Sequence, residues 1–158
     1  MKNLLAGLLI FIALPLSGLS QQGRRPAVKD SLRLSCLLLN ANEAVPEKAA
    51  IDLGTKELKL ILSSLTDTAL LAPADGIVST IQRETDGNYE LVYYHNDYWI
   101  WISGITKPTV SRNARIKTGQ AIGIVNPGQK IELLLFDFET PADPRDYLQC
   151  PSFKRLQE

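Results

Sequence analysis

Histidine is almost missing from this chain: His95 is the single copy in 158 residues. A catalytic zinc needs several nitrogen, oxygen or sulfur ligands. One imidazole therefore excludes a histidine-built metal centre, and no Ser-His-Asp set can be assembled except around His95. Membrane-length apolar runs are missing as well. The run at residues 4–14 falls short of the roughly 20 apolar residues a helix needs to cross a bilayer. Neither sign of charge is in excess, with 17 Lys and Arg against 17 Asp and Glu. Basic residues do not cluster beyond Arg24–Arg25, so nothing points to nucleic acid. There is no internal repeat, no low-complexity tract and little helical periodicity.

What the N-terminus does carry is an order of signals. Lys2 precedes the apolar run, Pro15 breaks it, and Gly18 and Ser20 stand at −3 and −1 of a cut before Gln21. Residues 1–20 read as a cleavable secretory signal peptide. No cysteine sits at the cut, so a lipoprotein anchor is not expected. The mature chain is expected in the periplasm or outside the cell, with no transmembrane anchor. Export bears on the two cysteines, Cys36 and Cys150. A disulfide between them is chemically allowed outside the cytoplasm and is the reading favoured here. Two buried free thiols are the alternative, since sequence measures no distance between them.

About 140 residues remain, enough for one domain with its own core. Strand signals dominate them. Residues 31–40 (SLRLSCLLLN) begin with alternation and turn apolar, and 40–50 is a loop or one short helix. Strands are expected at 57–63, 68–72, 77–83, 89–94, 98–102, 115–117, 121–125 and 130–139. Turns fall at 73–76, at Asp86-Gly87-Asn88, at Gly119-Gln120 and at Asn126-Pro127-Gly128, and 95–97 joins two aromatic strands as a hairpin. Short strands at this spacing predict an all-β barrel-sandwich of antiparallel strands.

Three stretches carry a resemblance. They are APADGIV at 72–78, RIKTGQAIG at 115–123, and LFDFE at 135–139 followed by Pro141-Ala142-Asp143-Pro144 and Tyr147-Leu148. The first two are tight glycine turns that also occur in biotinyl or lipoyl carriers and hybrid-motif adaptors. A carrier would need an exposed lysine at a hairpin tip, and Lys107 before Pro108 makes no such motif. With the third stretch, residues 57–148 resemble the LytM/lysostaphin-type zinc metallopeptidase domain, whose members cut peptidoglycan cross-links. The resemblance implies an all-β duplicated hybrid motif. Residues 21–56 form an extension outside it and 149–158 a tail.

The family's metal is held by H-x-x-x-D and one histidine of H-x-H, with further histidines handling protons. Placed without gaps, the first pair falls on Glu57 and Ile61, the histidine after the hairpin on Gly104, and H-x-H on Leu133 and Leu135. None of the five is an equivalent, so no zinc and no other cofactor is expected. Leu133 and Leu135 share one strand face, and Tyr98, Ile100, Ile102 and Gly104 share another if no bulge intervenes. Both faces are apolar, as hydrophobic packing or a groove would be. Trp99 and Trp101 face the other way. They either pack on a second sheet or the N-terminal strand, or form a partner-binding patch with Tyr93, Tyr94 and Tyr98. His95 is expected to be a solvent-facing turn residue. Asp143 and Asp146 read as turn and cap residues.

These readings together describe a non-catalytic, secreted, peptidase-like domain of the bacterial envelope. It would bind cell wall or regulate a peptidoglycan hydrolase. The alternative is a structural or assembly subunit that uses only the β scaffold. An active metallopeptidase and a hybrid-motif carrier or adaptor stand behind both.

Overall fold

The period-2 alternation of residues 98–102 (Tyr-Trp-Ile-Trp-Ile) sends Tyr98, Ile100 and Ile102 to one side and both tryptophans to the other. The structure, a computed structural model that describes residues 32–45 and 58–153, bears this out: the first three are 0–4% exposed. The expected signal peptide (residues 1–20), most of the extension, Glu57 and residues 154–158 lie outside the described residues. The strands are β1 (Asn42–Glu43), β2 (Leu60–Ser63), β3 (Ala69–Leu71), β4 (Gly76–Arg83), β5 (Tyr89–His95) and β6 (Tyr98–Ile105). They continue with β7 (Lys107–Pro108), β8 (Arg115–Ile116), β9 (Ala121–Ile124), β10 (Lys130–Asp137) and β11 (Thr140–Ala142). One 3-10 turn, Pro144–Asp146, follows.

Eight strands form the main sheet in the order β1-β2-β10-β6-β5-β4-β8, with β11 pairing β10. β3, β9 and β7 form a second, three-stranded sheet. The strand pairs are antiparallel, as the predicted class requires. β10 is the axis of this half of the sheet. One edge runs along β6, while the other is shared, β2 taking Lys130 to Leu133 and β11 taking Leu135 to Asp137.

One β6 position departs from simple alternation. Tyr89 sits opposite Ile105 and Leu91 opposite Ile102, so β6 carries one extra residue there. This is a β-bulge. Gly104 occupies it at φ 83°, and a Cβ would overlap the Lys130 carbonyl oxygen. Only glycine combines positive φ with so close an approach. The bulge re-aims the strand, so Ile105, not Gly104, takes the next inward place at 0% exposure.

The core lies between the two layers and is contiguous from Val78, Leu91 and Ile116 through Ile100 and Ile102 to Leu60, Leu133 and Leu135. Leu34, Leu37, Leu38 and Ala41, all from the N-terminal extension, belong to the same core. Residues 32–40 form no regular strand, although the sequence there begins with alternation. Leu34 makes a single parallel bridge to Leu148, and the chain bends at Leu37 and Leu38 and turns at Leu39 and Asn40. Leu37 and Leu38 are both buried at 1% exposure, a pairing of neighbours that extended alternation forbids.

Backbone bonds seat this segment as a continuation of the second layer. Leu71 N–H donates to the Leu37 carbonyl and Ser35 N–H to that of Pro73, while Leu34 N–H donates to Tyr147 and Gln149 N–H to Leu34. Cys36 and Cys150 are joined by a disulfide with their Cα atoms 4.8 Å apart. Arg145 adds an ionic latch, its Nε 2.7 Å from Glu43 Oε1 and its Nη1 3.1 Å from Asp143 Oδ1. Asp143 caps the 3-10 turn by accepting from Arg145 N–H.

Candidate functional site

Leu133 lies opposite Ile102 and Leu135 opposite Ile100 on paired strands. All four are 0–1% exposed in one core. Ile61, on β2 opposite Glu132, is 4% exposed. The positions on which the gapless placement sets the zinc motif are thus, where described, mostly inside the protein, and they carry Leu, Ile and Gly. Such side chains donate no electron pair to a metal. Among the described residues no three His, Cys, Asp or Glu side chains come together as a metal group. The residues present do not fit zinc.

Gly104 does not share the face of Ile102, because the bulge intervenes. The expected aromatic patch is also divided by the sheet. Tyr93 is fully buried, with its hydroxyl oxygen accepting the Ala74 N–H at 3.3 Å, and burial pushes its phenol far above the ordinary range. Tyr98 is 4% exposed and packs edge-on against Tyr147 at 5.8 Å. Both therefore leave the surface patch for the core. Tyr94, Trp99 and Trp101 remain on the outer face. Trp99 is 39% exposed and meets the Tyr94 ring at 4.3 Å, while Trp101 leans on Phe136 at 6.4 Å. Both tryptophans alternate along β6 with the buried Tyr98, Ile100 and Ile102.

His95 is not the free turn residue expected. It ends β5 half-buried, and the turn proper is Asn96–Asp97, with Asn96 at φ 52°. Its Nδ1 lies 2.8 Å from the Asp75 carbonyl oxygen. A carbonyl only accepts, so Nδ1 carries the proton. The Asp75 carboxylate points elsewhere. Oδ1 accepts the Thr118 N–H at 2.7 Å and the Thr118 hydroxyl at 2.9 Å, and Oδ2 takes Lys117 Nζ at 3.1 Å. The Thr118 N–H, then Lys117, then the Thr118 hydroxyl hold this carboxyl down at about 2.

Two features went unseen in the sequence. One is a surface pocket walled by Gly76, Ile77, Tyr94, His95, Arg115 and Lys117. The aromatic–cationic mixture signals it, but only topology sets Arg115 of β8 and Tyr94 of β5 on either side of Ile77 in β4. The other is Phe138, at φ 53° and 63% exposed in the β10–β11 turn, where its N–H donates to the Asp97 carbonyl. A bulky residue in the left-handed region is strained, and the alternation of β10 gives no hint of it.

No protein-family model matches this chain, and no curated protein does. Solved structures match clearly. A chain of Helicobacter pylori Csd3 superposes with a TM-score of 0.61 at 14% identity, over 75% of this chain and 34% of that one. Lysostaphin in solution, the antimicrobial peptidase of Staphylococcus simulans, gives 0.60 at 15%, over 82% and 58%. A chain of the SpoIIQ–SpoIIIAH pore-forming complex gives 0.57 at 12%, over 77% and 94%. The match thus spans about a third of the Csd3 chain and over half of lysostaphin. At such identities the likeness speaks for the fold: this chain folds as a degenerate LytM/lysostaphin-like domain.

Proposed function

We propose that the chain is an exported, non-catalytic LytM-like domain of the bacterial envelope that binds cell wall or regulates a peptidoglycan hydrolase. One observation carries the reading. Leu133 and Leu135, on which the gapless placement sets the family's H-x-H, are closed into a core that Leu34, Leu37 and Leu38 complete. A hydrolytic centre has become packing, and burying each leucine contributes about 1.5–3 kcal/mol relative to exposure. The fold remains, along with the outer face of Tyr94, Trp99 and Trp101. Aromatic residues of this kind anchor interfaces.

Export is supported by the leader-like order of residues 1–20 and by the Cys36–Cys150 disulfide. Among the described residues no helix is long and apolar enough to cross a membrane. A second reading, an assembly subunit using the β scaffold, is favoured by the likeness to a chain of the SpoIIQ–SpoIIIAH complex.

The test is a pull-down of the full chain with peptidoglycan sacculi, beside co-purification with a cell-wall amidase. Wall binding or hydrolase binding that is lost in Trp99→Ala with the fold intact supports the proposal. Failure of both leaves the assembly reading, and cleavage of peptidoglycan overturns the non-catalytic one.

A further inference from the structure

The pocket beside β8 has a volume of about 460 Å³. Gly76 is among its lining residues, packed so closely that a Cβ there would overlap the Tyr94 carbonyl oxygen and the Tyr93 ring. One wall is apolar. Ile77 is 45% exposed, and the Tyr94 ring beside it is braced edge-on by Trp99. The other wall is cationic. Arg115 is exposed and has no carboxylate partner among the described residues. Lys117 is 79% exposed and touches Asp75.

Asp75 is the acid of the lining, and its two oxygens already accept three donors from Lys117 and Thr118. The pocket thus offers positive charge with little competing acceptor capacity. Arg115 presents a planar fork of donors that matches a carboxylate.

We propose that this pocket takes a free carboxylate of a peptidoglycan stem peptide. Arg115 grips the carboxylate, Lys117 adds a second charge, and Ile77 and Tyr94 hold the adjoining apolar group. The inference rests on the envelope reading above and supplies its ligand class. Peptide carboxylates also occur on proteins, so the test separates the two sources.

The full chain is titrated with three probes: a synthetic stem tetrapeptide containing its D-residues, the same tetrapeptide as its C-terminal amide, and an all-L acidic peptide of equal charge. Binding is followed by NMR shifts of the His95 ring and the Trp99 indole. The expected result is that the D-containing acid shifts both signals, its amide and the all-L peptide bind at least tenfold more weakly, and Arg115→Gln loses at least tenfold affinity. Arg115→Lys should fall between Gln and wild type. Thermal unfolding checks that each variant is folded.

Equal binding of acid and amide, unchanged affinity in Arg115→Gln, or no shift at millimolar tetrapeptide overturns the subsite. So does preference for the all-L peptide, which points to a protein carboxylate instead. If sacculi still bind the Arg115→Gln protein while the tetrapeptide does not bind wild type, the subsite falls and wall binding stands. Loss of sacculus and hydrolase binding in wild type sinks the function reading itself.

Discussion

Thr118 N–H donates to Asp75 Oδ1 at 2.7 Å, across 43 positions of sequence. This bond ties the first glycine-turn motif to the second. The tie is reinforced from Ala72, whose N–H donates to the Gln120 carbonyl and whose carbonyl accepts the Gly119 N–H. Two of the three stretches that carried the family resemblance are therefore one structural clamp. The Asp75 carboxyl is lowered from 3.8 to about 2. Because its folded value lies below its unfolded one, the ionised group contributes fully above about pH 4 and loses that contribution as pH falls through about 2. Asp75→Asn should lower the melting temperature at neutral pH. The gap from wild type should close as both are acidified toward pH 2, as read by thermal unfolding across that range.

Gly104 should not tolerate a side chain. Gly104→Ala combines positive φ with overlap onto the Lys130 carbonyl. It is expected to destabilise by about 1–3 kcal/mol, with β6 and β10 forced apart or the bulge rebuilt. Urea unfolding measures the loss.

Leu133 and Trp99 should separate packing from surface. Leu133 is fully buried and Trp99 is 39% exposed. Leu133→Ala is expected to lower stability by about 2–5 kcal/mol. Trp99→Ala should cost less than that while removing binding. Denaturant midpoints measured on both variants check the contrast.

Breaking the Cys36–Cys150 link should release the N-terminal segment from the second layer. The bridge spans a separation of 114 residues, and in the chain-entropy model closing so long a loop is worth about 4–5 kcal/mol. Intact mass should rise by about 2 Da on reduction, two hydrogens being added across the bond. Hydrogen exchange at Leu34 and Leu37 should accelerate in Cys36→Ser.

Local signals made most of the sheet legible. The Tyr89–Tyr94 and Tyr98–Ile102 alternation placed the central hairpin, and Asp86-Gly87-Asn88 placed a turn, with Gly87 at φ 92°. The path of residues 32–40 was not legible, because Leu37 and Leu38 bury consecutively against residues that lie far along the chain. Tyr93 and Tyr98 resembled patch residues because they stand with Tyr94 and Trp99 near one hairpin end. Burial was decided by which face each strand turned to the core, and the Tyr93 hydroxyl found the Ala74 N–H there. The Gly104 bulge depends on a contact with β10, so no local pattern announces it. That Leu133 and Leu135 would share a core with the N-terminal extension was not legible, because that contact joins distant parts of the chain.

The most direct measurement is zinc content of the full-length chain after loading with zinc and desalting. If Leu133, Leu135 and Gly104 have replaced the metal site, zinc should stay well below one ion per chain, and peptidoglycan incubated with the protein should yield no new muropeptides. One tightly held zinc per chain, with cleavage products that vanish on chelation, would contradict the reading.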